Sequence, residues 1–219
     1  PTAVAQNVTV QLDENGSGSM TAAGIDNGSS DACGIASMSL SQTDFDCTHV
    51  GPNTVTLTVT DNNGNASTAT ATVTVEDNVA PTAVAQNVTV QLDENGDGST
   101  TADAVDNGSS DACGIASMSL SQTDFNCSQV GTNAVILTVI DVNGNESTAT
   151  ATVTVEDNVD PTALTQNITV QLESNGQANI DTDDIDNGSS DACGIASMSL
   201  DQTSFDCIHV GPNTVTLTV

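Results

Sequence analysis

The chain has 219 residues, with 29 Asp and Glu, no Lys or Arg, and a formal net charge of −29. Recognition of a phosphate backbone needs clustered basic side chains, so the composition excludes nucleic acid as a direct partner and argues against anionic membrane surfaces. No apolar run approaches the roughly 20 residues that a helical membrane span requires, which predicts no membrane insertion in this segment.

Tandem repetition is the strongest feature of the sequence. A Pro-Thr-Ala opening recurs with a period of 80 residues, and the second repeat nearly restates the first. A fixed period of this size indicates that each repeat is one structural unit. The predicted domains are residues 1–80, 81–160 and 161–219.

The third repeat is expected to be truncated before its last strand, because Val219 aligns with Val59 and Val139. Two interpretations are open. The array continues beyond this sequence, which we favour, or another chain supplies the last strand by strand addition.

In chain order, the first repeat alternates apolar and polar residues along residues 8–12, 36–40, 54–60 and 68–75, with Thr filling most polar positions of the last two segments. A period of two with one apolar face predicts antiparallel strands packed on a core from one side. Gly-, Asn- and Asp-rich turns separate them. About seven short strands at this spacing predict an all-β fold, a tandem array of immunoglobulin-like antiparallel β-sandwich domains. The one Phe of each repeat, such as Phe45, is predicted to cap the small core.

The cysteines occur as one pair per repeat, fourteen positions apart. They are Cys33 and Cys47, Cys113 and Cys127, and Cys193 and Cys207. An even count at regular spacing predicts a disulfide within each repeat and an oxidising, extracellular location. The alternative is zinc, but the nearby His49 and His209 become Gln129 in the middle repeat, which leaves that site short of a ligand.

Acidic residues concentrate where loops should meet the linkers between repeats. In a sandwich whose chain enters at one end and leaves at the other, the second-to-third strand loop and the last hairpin turn lie at the entry end. Oxygen ligands without nitrogen or sulfur competitors suit Ca²⁺. The predicted Ca²⁺ ligands are Asp26, Asp31, Asp61, Asn63, Glu76, Asp77, Asn78, Asp106, Asp111, Asp141, Asn143, Glu156, Asp157, Asn158, Asp186 and Asp191. The alternative for residues 61–65 is a hairpin turn in which Asp bonds only its own backbone.

Three segments carry a resemblance to a known type of repeat: DACGIASMSLSQTDFDC, VGPNTVTLTVTDNNGN and STATATVTVEDNVAPTA. They resemble the hyalin-like (HYR-type) and immunoglobulin-like tandem repeats of giant bacterial surface adhesins and filament proteins exported by type IX secretion. The resemblance implies an extracellular stalk or filament, a role in adhesion and, often, calcium. The sequence departs from the pattern at Ala69 and Ala149, where many such repeats have a third cysteine.

These features favour a structural role: stalk or filament repeats of an extracellular adhesive appendage for cell-surface or prey attachment, stiffened by disulfides and Ca²⁺. The alternative is an adhesin module that binds a carbohydrate or protein. The absence of Trp, Tyr and Arg weighs against it, because these residues dominate binding hot spots. No enzyme is expected, since no nucleophile or acid–base pair stands out. Expected partners are neighbouring repeats and, as a homo-oligomer or lateral bundle, further copies of the chain.

Overall fold

A computed structural model describes all 219 residues, which form 16 β-strands, three one-turn α-helices and three short 3₁₀ turns. The three α-helices have four residues each, and none is long and apolar enough to cross a membrane. The all-β prediction is therefore confirmed. The short helical turns, which the sequence did not predict, only connect strands.

The first repeat contains six strands. They are β1 (Val8–Gln11), β2 (Ser17–Ser19), β3 (Ile35–Leu40), β4 (Asp44–Asp46), β5 (Gly51–Asp61) and β6 (Ala66–Glu76), with α1 (Ala22–Ile25) between β2 and β3 and a 3₁₀ turn (Cys47–His49) after β4. One sheet has the order β1-β6-β5-β3, and β2 pairs with β4 in a second sheet. Side chains from both sheets meet in one core, as in an immunoglobulin-like sandwich.

One pairing differs from the antiparallel prediction. β1 runs parallel to β6, with Val8 opposite Val73 and Gln11 opposite Glu76. The other pairs, including the long β5–β6 hairpin, are antiparallel. A parallel pair needs a long connection, and here nearly the whole repeat lies between the two strands. The alternation of residues could not reveal this, because parallel and antiparallel edge strands share the period of two.

The core follows the predicted apolar positions. Val55, Leu57 and Val59 of β5 are completely buried, whereas the intervening Thr residues face outward. Phe45 is 3% exposed and packs with this cluster, which confirms its predicted place. Without Trp or Tyr the core consists mainly of Val, Leu and Ile side chains with one Phe, and each repeat therefore buries little apolar area of its own.

The second repeat has the same elements. They are β7 (Val88–Gln91), β8 (Asp97–Ser99), α2 (Ala102–Val105), β9 (Ile115–Leu120), β10 (Asp124–Asn126), a 3₁₀ turn (Cys127–Gln129), β11 (Gly131–Asp141) and β12 (Glu146–Glu156). The sheet order β7-β12-β11-β9 repeats that of the first sandwich.

The third repeat has fewer strands. They are β13 (Gln177–Asn179), β14 (Ser199–Leu200), β15 (Ser204–Asp206) and β16 (Leu217–Thr218), with α3 (Thr182–Ile185) and a 3₁₀ turn (Cys207–His209). Residues 168–171, which correspond to β1, are not a strand, and Ile168 and Val170 are exposed. In the first and second repeats the corresponding strands, β1 and β7, pair with β6 and β12.

The contacts divide the chain into two compact units. One comprises Pro1–Gln86, Val105–Ser121 and Ile136–Thr150, and the other comprises Asn87–Ala104, Gln122–Val135 and Ala151–Val219. Each unit therefore contains the contacts between one repeat and the adjoining end of the next. The domain boundaries at residues 80 and 160 stay a prediction from the repeat period, because the compact units do not divide there.

Candidate functional site

The disulfides join consecutive repeats. Cys47 is bonded to Cys113, with a Cα–Cα distance of 5.1 Å, and Cys127 is bonded to Cys193, at 5.0 Å. Cys33 and Cys207 are free and exposed. The predicted pairing within each repeat is therefore wrong, although four of the six predicted cysteines are disulfide-bonded.

The topology explains why the two cysteines of one repeat cannot meet. Cys33 lies at the entry end of the sandwich, where its carbonyl accepts a hydrogen bond from the Asn62 side chain in the β5–β6 turn. Cys47 lies just before β5, at the opposite end. The 11 residues of β5 separate these ends by roughly 35 Å. A disulfide needs Cα atoms within about 7 Å, so the second cysteine of one repeat bonds the first cysteine of the next.

A small recess at the exit end of the first and second sandwiches holds the disulfide. A methyl group added at Gly16 would lie 2.6 Å from Cys47 Sγ and 3.2 Å from Ala112 Cβ, and Gly96 has the same relation to Cys127 and Ala192. Gly16 also has φ +69°, a conformation that favours glycine. We call this recess, formed by the glycine and the second cysteine of a repeat, the cysteine socket. It receives the Ala-Cys segment of the following repeat, and sequence analysis missed it because the glycine resembles an ordinary turn residue.

A pair of carboxylates lies beside each disulfide. Carboxylate oxygens of Asp77, in the linker, and Asp111, two residues before Cys113, lie within 4.8 Å of each other, and Asp157 and Asp191 form the same pair. Asp77 is 7% exposed, and its Oδ2 is buried without a hydrogen-bond partner. The neighbouring cysteine sulfur is in a disulfide and offers no thiolate, so the ligand set at each junction consists of oxygens.

The β11–β12 turn approaches the same linker. The Asn145 side chain donates to the backbone carbonyl of Asp77 at 3.1 Å and to Asp141 Oδ2 at 2.7 Å. Asn143 Oδ1, in the same turn, is buried and has no partner. The structure thus places Asp77 close to Asp111 and to the turn from Asp141 to Asn145.

Asp141 and Asp61 themselves organise their turns. Each carboxylate accepts hydrogen bonds from two backbone N–H groups of its turn and from the side chain of Asn145 or Asn65. Both side chains therefore behave as the turn alternative describes. In the Asp61 turn, the Asn63 backbone N–H donates to Asp61 Oδ1.

The remaining predicted ligands are engaged elsewhere. Asp26, Asp106 and Asp186 each accept from the backbone N–H groups two and three residues ahead, closing their own loops. Glu76 and Glu156 accept from Gln11 and Gln91 and from the side chains of Asn78 and Asn158, along the edge of the parallel strand pair. Asp31, the counterpart of Asp111, accepts a hydrogen bond from the Cys33 backbone N–H at 2.8 Å.

The histidines have a local structural role. His49 Nδ1 lies 2.8 Å from Asp46 Oδ1, and the ring packs edge-on against Phe45. In the second repeat Gln129 takes the same position and accepts a hydrogen bond from the Asn126 backbone N–H. Because Gln closes the turn equally well, this position does not require a metal ligand. The zinc alternative fails here, since the cysteine beside His49 is disulfide-bonded.

Hydrogen bonds to the turn carboxylates predict acid lability. The Asn65 side chain holds the pKa of Asp61 below its usual value of 3.8. Burial raises the pKa of Asp141, but hydrogen bonds from Asn145 and Asn143 outweigh burial and lower it overall. A pKa that is lower in the folded state means that the stabilisation is complete above about pH 4 and is lost as the pH falls through the folded-state pKa.

The thermal midpoint of the parent protein should therefore be constant above about pH 4 and should decrease as the pH is lowered further. Thermal unfolding followed by circular dichroism between pH 2 and 6 measures this change. An Asp61→Asn/Asp141→Asn variant should have a lower thermal midpoint than the parent at pH 6, and its midpoint should decrease less on acidification. An acid-induced loss as large as that of the parent would contradict this assignment.

Neither a protein-family model nor a curated protein sequence matches the chain. Among solved structures it is similar to the protocadherin GammaB4 extracellular domain, at 16% identity over 92% of this chain and 40% of that one, with a TM-score of 0.36. Human protocadherin-24 EC1-2 follows at 12% identity, 72% and 98% coverage and a TM-score of 0.38. Fibronectin(III)-like modules of Clostridium thermocellum CbhA have 11% identity, 72% and 92% coverage and a TM-score of 0.25. These values do not assign the chain to any of these families.

Proposed function

We propose that the chain is a length of structural stalk in an extracellular adhesive appendage, of the hyalin-like kind exported by type IX secretion. The observation that carries the proposal is the disulfide between each repeat and the next. Disulfides persist in oxidising, extracellular environments. A chain in which each repeat is joined to the next by a disulfide, in addition to the polypeptide itself, suits a protein that transmits load rather than one that recognises a ligand.

The disulfides shorten the path that tension follows. A chain pulled at its ends bears force from residue 1 to Cys47, passes directly to Cys113, and passes again from Cys127 to Cys193. Each bond spans 66 residues, so about 130 of the 219 residues are excluded from extension. Even if the sandwiches unfold, the chain extends to about 300 Å rather than about 750 Å at roughly 3.5 Å per residue. A stalk built in this way resists lengthening.

Calcium fits the junction carboxylates. Asp77 and Asp111 place two negative charges close together, and Asp77 Oδ2 and Asn143 Oδ1 are buried oxygens without partners. The chain has no Lys or Arg to neutralise them. Ca²⁺ accepts six to eight oxygen ligands in flexible geometry, so water would complete the set. When bound, it would supply the positive charge that the buried Asp77 carboxylate and the half-buried Asp111 carboxylate beside it need.

The position of this site in the chain suggests its role. Asp77 lies between Cys47 and Cys113, inside the segment that the disulfide relieves of tension. Ca²⁺ there would fix the linker against the next repeat without bearing the load. Lateral bundling of chains through their Thr-covered outer strands is part of the same proposal and would give a filament.

Small-angle scattering of the oxidised chain tests the calcium-stiffened stalk. The maximum dimension should be larger in millimolar Ca²⁺ than in excess chelator. In chelator the distribution of interatomic distances should also be broader, because the linkers are no longer fixed. Sodium chloride of matched ionic strength controls for simple screening of the −29 charge. Superimposable curves in Ca²⁺ and chelator would contradict calcium stiffening.

A further inference from the structure

The outward side of β11 differs from that of β5. The two strands have the same buried residues, but Ile136 and Ile140 of β11 take the places of Thr56 and Thr60 of β5. Ile136 is 47% exposed, and Val142, in the turn that follows β11, is 57% exposed. Threonine and isoleucine are both β-branched and both suit a strand, so the strand itself does not require this change. We call the three apolar residues of the middle repeat the apolar stripe.

The surface around the apolar stripe is uncharged. Ser117 and Ser119 of β9 lie opposite Ile140 and Thr138 of β11. β9 and the adjoining part of β11 contain no charged side chain, and the nearest carboxylate along β12 is that of Glu146, its first residue. The chain has 29 acidic and no basic residues, so a sheet surface without charge is an exception in it. Exposed apolar side chains in such a surface mark a site of protein contact.

The net charge of −29 determines which partner fits this surface. A basic partner would bind the carboxylates elsewhere on the chain rather than an uncharged sheet. A second copy of the chain is repelled wherever carboxylates face each other, and it approaches most closely through a surface without charge. We propose that two copies of the chain pack their apolar stripes together, which rests on the lateral bundling in the proposed function and specifies where that contact lies.

The apolar stripe is complementary to itself. Ile136 and Ile140 lie on either side of Thr138, so a two-fold axis at Thr138 with antiparallel strands places Ile136 of one copy on Ile140 of the other. The same arrangement puts the two Glu146 carboxylates at opposite ends of the contact. Three strands of about seven residues present on the order of 350 Å² per copy. A stable complex buries roughly 800 Å² per partner, so this dimer is weak and reversible.

Sedimentation equilibrium of the 219-residue chain tests the contact. Cys33 and Cys207 are capped with iodoacetamide beforehand, so that no disulfide joins two copies. Excess chelator excludes bridging by Ca²⁺, and interference optics are needed because the chain has no Trp or Tyr. Between about 0.01 and 1 mM, the range that a small interface requires, the average mass should rise from that of a monomer towards that of a dimer. Association should be stronger at high salt, which screens the repulsion between copies.

The variant Ile136→Thr/Ile140→Thr introduces the residues of the first repeat at these positions. It should weaken association at least about tenfold, because two apolar side chains of each copy leave the contact. The matched control is Val130→Thr, which makes the same kind of change at a residue that precedes β11 and is 52% exposed. The control should associate as the parent does.

Four results would each overturn the proposal: a parent chain that stays monomeric at every concentration, association that weakens at high salt, an isoleucine variant that associates as the parent does, or a control that loses association as the variant does. The calcium and stretching experiments address single chains. A failure here would therefore leave the disulfide-joined stalk standing.

Discussion

Replacing Cys47 and Cys113 together by serine should lower the free energy of unfolding of the disulfide-bonded region by about 4 kcal/mol. The bond closes a loop of 66 residues, and in the chain-entropy model a loop of that length restricts the unfolded state by this amount. The repeats have little apolar core to offset the loss, because they contain no Trp or Tyr. Chemical unfolding followed by circular dichroism measures the change.

The matched control is the Cys33→Ser/Cys207→Ser variant, which makes the same two substitutions at cysteines outside the disulfides. It should unfold at the denaturant concentration of the parent. The comparison also separates the two pairing schemes. If bonds formed within repeats, replacing Cys33 and Cys207 would break two of them, and the control would be as unstable as the test variant.

Replacing Asp77 and Asp157 by asparagine should have opposite effects on the free energy of unfolding with and without calcium. In chelator the variant should be more stable than the parent, because each substitution removes one of two close carboxylates whose repulsion is on the order of 1–3 kcal/mol per pair. In Ca²⁺ the order should reverse, because the parent gains about 2.7 kcal/mol per site at a concentration 100 times the dissociation constant and the variant gains little.

Glu76→Gln/Glu156→Gln is the control with the same change in net charge. These glutamates contact Gln11 and Gln91, and they lie outside the carboxylate pairs. The control should retain the calcium-dependent rise in thermal midpoint. Isothermal titration should find calcium sites in the parent and control and lose them in the asparagine variant. If all three proteins respond alike, the calcium assignment to the junctions is wrong.

The sandwich could be predicted well from the sequence because the patterns that specify its strands and turns are local. The alternation around Val55, Leu57 and Val59 identifies β5 and its buried face directly, and the Asn-Gly turns mark the hairpins. The parallel pairing of β1 with β6 was not predictable, because it depends on which edge of the sheet the first strand joins.

The junction was predicted in part. Topology placed Asp77, Asp111 and the turn around Asp141 at one end of the sandwich, and the structure brings them together. The same argument, applied to Cys33 beside Asp31 and to Cys47 before β5, would have placed the two cysteines at opposite ends. Their spacing of fourteen residues favoured the shorter loop instead. Spacing along the chain gives no distance when a strand reversal and a long strand intervene.

Single-molecule stretching tests most directly whether the disulfides carry tension from one repeat to the next. A chain held by its ends and unfolded under force in oxidising buffer should reach a contour length of about 300 Å, because each disulfide withholds 66 residues. After reduction the same molecule should lengthen to about 750 Å. An oxidised contour length only slightly below the reduced one, as bonds within each repeat would give, would contradict a stalk in which disulfides carry tension from repeat to repeat.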